Sequence, residues 1–237
     1  MICQQYQKVL ERVGQAALRA GRGPEEVRLM AVTKTVEPSQ ILEAVAAGAN
    51  LLGENRVQEL KRKRALIPRC EMHLIGHLQS NKVAKAVACA DMIQSVDSVR
   101  IAREISGACQ KLGKIVPVLL EVNIGRDEAK FGFLPEQLEE ALGEIALLPG
   151  IWVRGLMTVP PLCGTPAQTQ KFFCQMRKLY VDIRAKIMDN RMGVNDAPSP
   201  AMEILSMGMS GDFEPAIAEG STLVRVGSAI FGARDPR

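Results

Sequence analysis

Residues 29–35 read Leu-Met-Ala-Val-Thr-Lys-Thr, a short apolar run that ends abruptly in a lysine. Side chains two residues apart on a strand point to the same face, so Met30, Val32 and Lys34 share one side of a predicted strand at 29–34. Lys34 therefore extends the apolar row to the rim of a sheet. An amine that loses hydration at the mouth of an apolar pocket becomes a better nucleophile toward aldehydes, which makes Lys34 a candidate Schiff-base lysine. The alternative is a strand end that reaches into solvent.

Short apolar runs continue along the chain, with segments of helical periodicity between them. The predicted strands are 29–34, 50–54, 72–76, 92–96, 117–122, 152–157, 203–207 and 223–227. The predicted helices are 2–20, 38–48, 55–67, 80–90, 98–112, 135–147, 167–189 and 212–219.

Several of these strands are apolar on both faces, which is typical of a parallel sheet covered by helices. Eight strand–helix units predict a (β/α)8 TIM barrel at about residues 27–234, preceded by an N-terminal helix at about 2–20. A doubly wound open sheet is the alternative, but no glycine-rich dinucleotide turn follows the first strand. We expect one domain over residues 1–237.

The composition allows one sizeable hydrophobic core and argues against a nucleic-acid-binding protein. Hydrophobic residues make up 47% of the 237 positions, aromatic residues make up 4%, and the formal net charge is +4. With so few aromatic side chains, a nucleic-acid surface built on base stacking is not expected. The one dense basic run, 61–64, is interpreted as a solvated helix face.

The cysteines and the N-terminus indicate the cellular compartment. Six cysteines lie far apart without a CxxC pair, and no histidine stands at metal-ligand spacing, so we expect reduced, mostly buried thiols and no metal site. The first residues lack the features of a signal peptide, and no apolar run is long enough for a membrane span. A soluble, cytoplasmic protein is therefore expected, and separately we expect a monomer. The cysteines are Cys3, Cys70, Cys89, Cys109, Cys163 and Cys174.

A barrel carries its chemistry at the carboxyl ends of the strands, and polar or glycine residues cluster there in this chain. Two of the loops at this end favour a phosphate. Residues 206–212 contain two serines and two glycines before a predicted helix, and residues 227–232 follow strand eight with a similar composition. Such turns present backbone N–H groups and hydroxyls to an anion. Taken locally, each loop could equally be a helix cap.

Arg225 stands between two valines of strand eight, where a permanent cation needs a partner. The partner could be a structural carboxylate such as Glu203 or Glu121, or a ligand atom in the barrel mouth. A lysine, a phosphate cradle and an arginine at one mouth indicate a phosphorylated aldehyde cofactor, for which pyridoxal 5'-phosphate (PLP) is the obvious candidate.

Five blocks of sequence resemble, in order and spacing, the pyridoxal phosphate homeostasis protein family, the single-domain relatives of the alanine racemase N-terminal barrel. The likeness runs from about residue 5 to 234. The blocks are Ala-Val-Thr-Lys at 31–34, Gly-Glu-Asn-Arg-Val-Gln-Glu at 53–59, His-Leu-Ile-Gly-His-Leu-Gln-Ser-Asn-Lys at 73–82, Ser-Met-Gly-Met-Ser-Gly-Asp at 206–212 and Val-Arg-Val-Gly-Ser-Ala-Ile-Phe-Gly at 224–232.

The resemblance implies a role for each matching position. Lys34 matches the Schiff-base lysine, Asn55 a residue near the ring hydroxyl of PLP, and Arg225 the arginine that faces the pyridine nitrogen. The loop at 206–212 supplies Met207 and Ser210 to the cofactor, with Ser210 at the phosphate. The backbone at Gly227 and Ser228 completes the phosphate site. One departure is Arg56, where the family more often has tyrosine.

The resemblance also implies a function: the protein holds PLP inside the cell and buffers it or delivers it to apo-enzymes, without robust turnover. A PLP-dependent amino-acid racemase is the alternative, but it needs a second base, and Tyr6 and Tyr180 fall in helices where neither is a good candidate. A phosphosugar-handling barrel that never forms an imine is the third hypothesis.

A second lysine, the histidines and one proline-containing segment have further predicted roles. Lys130 is a rival imine former, ranked below Lys34 because it lies in a polar loop. His73 and His77 are the only histidines, and His77 is interpreted as a hydrogen-bonding residue of its loop in preference to a catalytic base. The segment 191–200 is interpreted as a mobile loop.

Overall fold

The computed structural model describes residues 1–67, 69–161, 165–190 and 200–233, and it contains a closed barrel of parallel strands in sequence order. The predicted barrel is confirmed. The strands are β1 Arg28–Val32, β2 Leu51–Glu54, β3 Glu71–Leu74, β4 Met92–Val96, β5 Val116–Glu121, β6 Ile151–Met157, β7 Ile204–Ser206 and β8 Leu223–Val226.

Helices cover the barrel and also precede it. They are α1 Ile2–Arg19, α2 Pro38–Ala46, α3 Val57–Leu66, α4 Val83–Cys89, α5 Val99–Leu112, α6 Leu138–Ala146, α7 Pro166–Asn190, α8 Phe213–Ala218 and α9 Ser228–Phe231. The short helix α9 was not predicted, because residues 227–232 were interpreted as a loop.

The register of β1 closes the barrel and places the candidate residues. Ala31 pairs with Leu52 of β2, while Met30 pairs with Arg225 of β8. Since strands β1, β2 and β8 are neighbours around the barrel, the loops that follow them open at the same end. Lys34, Asn55 and the 227–232 segment are thereby brought to one mouth.

Side-chain alternation divides each strand between the barrel interior and the helical layer. The interior cluster is apolar and contains Met30, Val32, Leu51, Met92, Leu119, Met157, Ile204 and Leu223, with Ile75 packed against it. Alternate residues, such as Ala31 and Leu205, belong to the clusters between strands and helices. The prediction that Met30 and Val32 share one face is therefore confirmed.

The N-terminal helix α1 packs on the outside of the barrel beside α8 and α9. Its apolar stripe is buried against Phe213, Ile217 and Ile230. The guanidinium of Arg12 donates to Glu214 at 2.9 Å. The predicted N-terminal helix is thus an integral part of the helical layer. Its buried residues are Ile2, Tyr6, Val9, Val13, Ala16 and Ala17.

Strand β1 is shorter than predicted. It ends at Val32, and Lys34 lies in a turn beyond it. The carbonyl of Gly53 still accepts from the Thr33 N–H at 2.9 Å, so the chain leaves the sheet only after Thr33. The left-handed backbone of Thr35, at φ 59°, then diverts the chain toward α2.

Two predictions about the burial of side chains, one for the basic run 61–64 and one for the cysteines, were wrong. The basic run 61–64 is not a uniformly solvated face, because Lys63 is completely buried. The cysteines are not mostly buried either: in the described part of the chain Cys70 and Cys109 are buried, whereas Cys3 and Cys174 are exposed.

Some sequence interpretations fall outside the described residues, namely those on Cys163 and on 191–199 of the proposed loop. None of the helices described is both long and apolar enough to cross a membrane.

Candidate functional site

A cavity of about 380 Å³ lies at the mouth of the barrel, at the carboxyl ends of the strands. Six of the seven sequence-predicted site residues line it. Lys34 and Asn55 come from the loops after β1 and β2, and Arg225 comes from β8. The complete lining is Val32, Lys34, Asn55, Ile75, Val159, Met209, Ser210, Gly211, Arg225, Gly227 and Ser228.

Met207 is the predicted site residue that the structure does not bring to the cavity. In β7, Ile204 and Ser206 point into the barrel, so Met207 points outward into the cluster between strands and helices. Met209 lines the cavity instead. Alternation along β7 excludes Met207 but does not identify Met209, because β7 ends at Ser206 and the chain turns at Gly208, where φ is 93°.

Sequence reasoning also missed Ile75 and Val159, which supply apolar walls to the cavity. Ile75 directly follows β3 and packs against the interior cluster. Val159 stands two residues after the interior residue Met157, so alternation beyond the end of β6 would have placed it at the mouth.

The turn that carries Lys34 is held from outside the barrel by a buried lysine. The ammonium of Lys63 donates to the carbonyl of Thr33 at 2.7 Å, to Glu54 Oε1 at 2.7 Å and to Glu59 Oε2 at 3.0 Å. Thr33 Oγ1 also donates to Glu54 Oε1 at 2.5 Å. Lys63 thus fixes the residue immediately before Lys34.

The carboxylates of this buried group have opposite pKa shifts. Burial raises the pKa of Glu54 although Lys63 and Thr33 oppose the shift. Burial acts in the same sense on Glu59, but hydrogen bonds from the Thr35 N–H and from Lys63 outweigh it and lower the pKa. The Thr35 N–H donates to Glu59 Oε2 at 2.9 Å, so the same carboxylate holds the left-handed residue of the turn.

The backbone of Asn55 is in very close contact with the loop that follows β3. A Cβ atom added to Gly76 would lie 2.4 Å from the Asn55 carbonyl oxygen and 2.8 Å from its Cα. Only glycine allows the loop after β3 to pack against the loop after β2 at this distance. The two loops therefore set the position of the Asn55 backbone together.

Arg225 is almost fully buried and points into the barrel mouth. Its guanidinium donates to Ser206 Oγ at 2.6 Å and to the Thr158 carbonyl at 2.8 Å. Burial lowers the pKa of Arg225 to about 10, while Glu121 and Asp212 oppose that shift. Glu203 and Glu121 were the two carboxylates predicted as partners of Arg225. Glu203 forms its ion pair with Arg154 instead, and Glu121 acts on Arg225 only through its charge.

Glu121 ends β5 on the interior-facing side of the strand. Burial and the nearby charge of Asp97 together raise its pKa to about 7, against the opposing effect of Arg225. Near neutral pH this carboxyl is therefore partly protonated, and it only partly neutralises the buried guanidinium.

The opposite side of the cavity presents N–H groups and hydroxyls. The backbone N–H groups of Gly227 and Ala229 donate to Ser210 Oγ at 3.1 and 3.4 Å. Ser210 and Ser228 both line the cavity. Several weakly engaged donors that converge on one point suit a phosphate group.

The rival residues are placed elsewhere. Lys130 donates to the Pro160 carbonyl at 2.9 Å and does not line the cavity. His77 Nδ1 lies 2.8 Å from Asp97 Oδ2, in the loop that follows β4, and the His77 ring stacks on Phe131. The prediction of a hydrogen bond within the loop of His77 is therefore wrong, because the bond joins two different loops.

Neither tyrosine lines the cavity. Tyr6 is one of the buried residues of α1, and the Tyr180 hydroxyl donates to the Met202 carbonyl at 2.6 Å. Within the described ranges, no group of three histidine, cysteine, aspartate or glutamate residues is arranged to hold a metal ion.

Comparison with known proteins agrees with this geometry. Residues 8–235 match the family model of the alanine racemase N-terminal domain. The chain is 38% identical to the pyridoxal phosphate homeostasis protein of Aquifex aeolicus, with 98% of each chain covered.

Solved structures are equally similar. PipY of Synechococcus elongatus with PLP bound has a TM-score of 0.80 and 36% identity, and the match covers 98% of this chain and all of PipY. An unknown protein from Bifidobacterium adolescentis has a TM-score of 0.88 and 39% identity, with 97% and 94% of the two chains covered.

Proposed function

The chain belongs to the pyridoxal phosphate homeostasis protein family, and on that premise we propose that it binds PLP in the mouth cavity and takes part in maintaining the cellular supply of the cofactor. One observation carries the proposal: Lys34, Arg225 and the Ser210–Gly227 donors line the same cavity of about 380 Å³. An amine, a buried cation and a cluster of anion donors match the aldehyde, the ring and the phosphate of PLP.

Each residue then has a defined part in binding. Ser210, Gly227 and Ser228 hold the phosphate, Asn55 lies near the ring hydroxyl, and Arg225 faces the ring nitrogen. PLP held there would supply an aldehyde, and Lys34 is the amine that would condense with it, with the aldehyde oxygen released as water. The apolar side chains of Ile75 and Val159 line the cavity beside these polar groups.

Arg225 favours storage of PLP over demanding chemistry. A cation beside the ring nitrogen disfavours protonation of that nitrogen, and an unprotonated ring is a poorer electron sink. The absence of both tyrosines from the cavity lining also favours a carrier over a two-base racemase. We therefore propose buffering and delivery to apo-enzymes in the cytoplasm by a monomer without robust turnover.

The decisive test replaces Lys34 by alanine. Purified wild-type protein mixed with PLP should develop the visible absorbance of an imine, and borohydride followed by peptide mass mapping should place the reduced adduct on the Lys34 peptide. Lys34→Ala should lose both signals, because the amine that forms the bond is gone. Lys130→Ala is the matched control and should retain both.

Three outcomes would contradict the proposal. A full-stoichiometry adduct in Lys34→Ala would assign the imine to another lysine, and a wild-type protein that takes up no PLP would leave a phosphate-binding barrel only. Robust racemisation of alanine by the purified protein would favour the racemase over the carrier.

A further inference from the structure

A continuous chain of hydrogen bonds crosses the apolar barrel interior and ends at Arg225. The Arg225 guanidinium donates to Ser206 Oγ at 2.6 Å, and that hydroxyl donates to Gln94 Oε1 at 2.8 Å. Gln94 Nε2 lies 2.8 Å from His73 Nδ1, and His73 Nε2 lies 2.6 Å from Glu71 Oε1. We call this chain of five side chains the interior relay.

The interior relay is buried along its whole middle section. His73, Gln94 and Ser206 have no exposed surface, and Arg225 is 4% exposed. Their neighbours in the barrel are methionine, leucine, isoleucine and valine side chains. In such surroundings an unpaired donor or acceptor is costly, so each member depends on the next one.

The Glu71 carboxylate sets the direction of the relay. A hydrogen bond from His73 and a second from Arg28 hold the pKa of Glu71 at about 2, against the effect of burial, so Glu71 can only accept. His73 Nε2 must then carry the proton. Burial lowers the pKa of His73, which favours the neutral ring, and in a neutral ring with its proton on Nε2 the Nδ1 atom accepts from Gln94.

The same reasoning fixes the rest of the chain. With its amide nitrogen engaged by His73, Gln94 turns its oxygen toward Ser206. The Ser206 hydroxyl donates to that oxygen and keeps a lone pair for Arg225. Every group has one available role, and reversing any single bond would leave two donors or two acceptors face to face.

We propose that His73 and Gln94 are positioning residues of the cofactor site, which orient the Arg225 guanidinium toward the ring nitrogen by fixing the acceptor on Ser206. The inference rests on the proposed function, since it needs a cofactor ring beside Arg225. The neutral acceptors Ser206 and Thr158 are the groups that hold the guanidinium directly. Their orientation therefore decides where its remaining N–H groups point.

Nitrogen NMR of histidine reads the relay directly, because the chain has only two histidines and His77→Gln assigns them. We expect His73 in the cofactor-free protein to be neutral with its proton on Nε2. Adding PLP should shift the His73 Nδ1 resonance, since a ring beside Arg225 changes the polarisation of the whole chain. Ser206→Ala, which breaks the contact with Arg225, should abolish that shift even at PLP concentrations high enough to saturate the variant. Ser106→Ala is the matched control, because it removes another buried hydroxyl, which donates to the Pro149 carbonyl at 2.7 Å outside the barrel.

A second set of variants tests positioning by rescue. In His73→Leu the acceptor for Gln94 is lost, whereas the Asn oxygen in His73→Asn can stand in for Nδ1. We expect His73→Leu and Gln94→Leu to weaken PLP binding about tenfold, the effect of losing a hydrogen bond that orients a charged group. The absorbance spectrum of bound PLP should also change. His73→Asn should restore affinity and spectrum toward those of the wild type.

The outcomes separate the two levels of inference. Wild-type protein that shows no imine band with PLP overturns the proposed function, and with it the positioning role. Wild-type protein that binds PLP while His73 stays unshifted, or carries its proton on Nδ1, overturns the interior relay alone. Equal affinity and equal spectra for His73→Leu and the wild type would do the same. If His73→Leu does not fold, the nitrogen NMR spectrum of Ser206→Ala still tests the interior relay, because a PLP-induced shift of His73 that persists in this variant would overturn it.

Discussion

Two lysines close together in the fold have opposite environments, and this decides their roles. Lys34 is partly exposed at the cavity, whereas Lys63 is completely buried behind the turn that carries Lys34. Lys63 bonds to two carboxylates and to the Thr33 carbonyl. A buried ammonium with three acceptors is a fixed structural cation, while a lysine in the cavity is available for chemistry.

Replacing Lys63 by methionine should destabilise the protein by about 3 kcal/mol, because it leaves Glu54 buried without its cation. It should also weaken PLP binding, since the Thr33–Thr35 turn loses its anchor. Urea unfolding and PLP titration measure the two effects. Lys61→Met, at an exposed position of the same helix, should change neither quantity noticeably. Equal stability of the two variants would contradict the anchoring role.

Glu121 should make the stability of the barrel depend on pH. Its folded pKa of about 7 exceeds the ordinary value of 4.5, so ionisation is disfavoured in the folded state. The protein therefore loses stability as pH rises from about 4.5 through about 7. Glu121→Gln removes this loss and should gain up to about 3 kcal/mol over the wild type at pH 8, with no gain at pH 4.

Urea midpoints at the two pH values check the Glu121 prediction. Glu128→Gln, in an exposed loop, should follow the wild type at both. A gain for Glu121→Gln that is the same at pH 4 and pH 8 would show that titration of this carboxyl is not the cause.

At the scale of elements, the loops after β2 and β3 set the width of the cavity through one close backbone contact. Gly76→Ala would place a methyl group 2.4 Å from the Asn55 carbonyl oxygen, and backbone must move to relieve it. We expect lower PLP affinity together with lower stability, measured by titration and by thermal unfolding.

Gly107→Ala is the matched control for the loop contact. A Cβ atom at Gly107, inside α5, meets nothing within 4 Å. This substitution should stabilise the protein by up to about 1 kcal/mol, from helix propensity alone, and leave PLP binding unchanged. Unchanged PLP affinity in Gly76→Ala would show that the Asn55 loop adapts freely.

At the scale of the whole molecule, the surface predicts a monomer. The large exposed apolar side chains belong to different elements, among them Leu18 of α1, Leu42 of α2, Leu66 of α3 and Leu112 of α5. Exposed apolar side chains on separate elements are normal on a monomer, whereas an interface core needs many of them on one face. Light scattering should give a mass near 25.8 kDa, and a mass of twice that value at micromolar concentration would overturn the prediction.

The sequence by itself determined the barrel, its helical layer and most of the cavity lining. Strand and helix periodicities are local, so they can be read from residues close together in the chain. A barrel then forces the strand ends to one mouth, which is why Lys34, Asn55, Ser210 and Arg225 could be assigned to a common site before any coordinates were known.

Only the tertiary structure decided which polar groups face one another. Ser206 and Gln94 bond across 112 positions of the chain, and no spacing rule connects residues so far apart. The burial of Lys63 and the outward direction of Met207 depend likewise on which face of each element meets the core. Alternation along a strand divides its residues into two sets, but closure of the barrel determines which set lies inside.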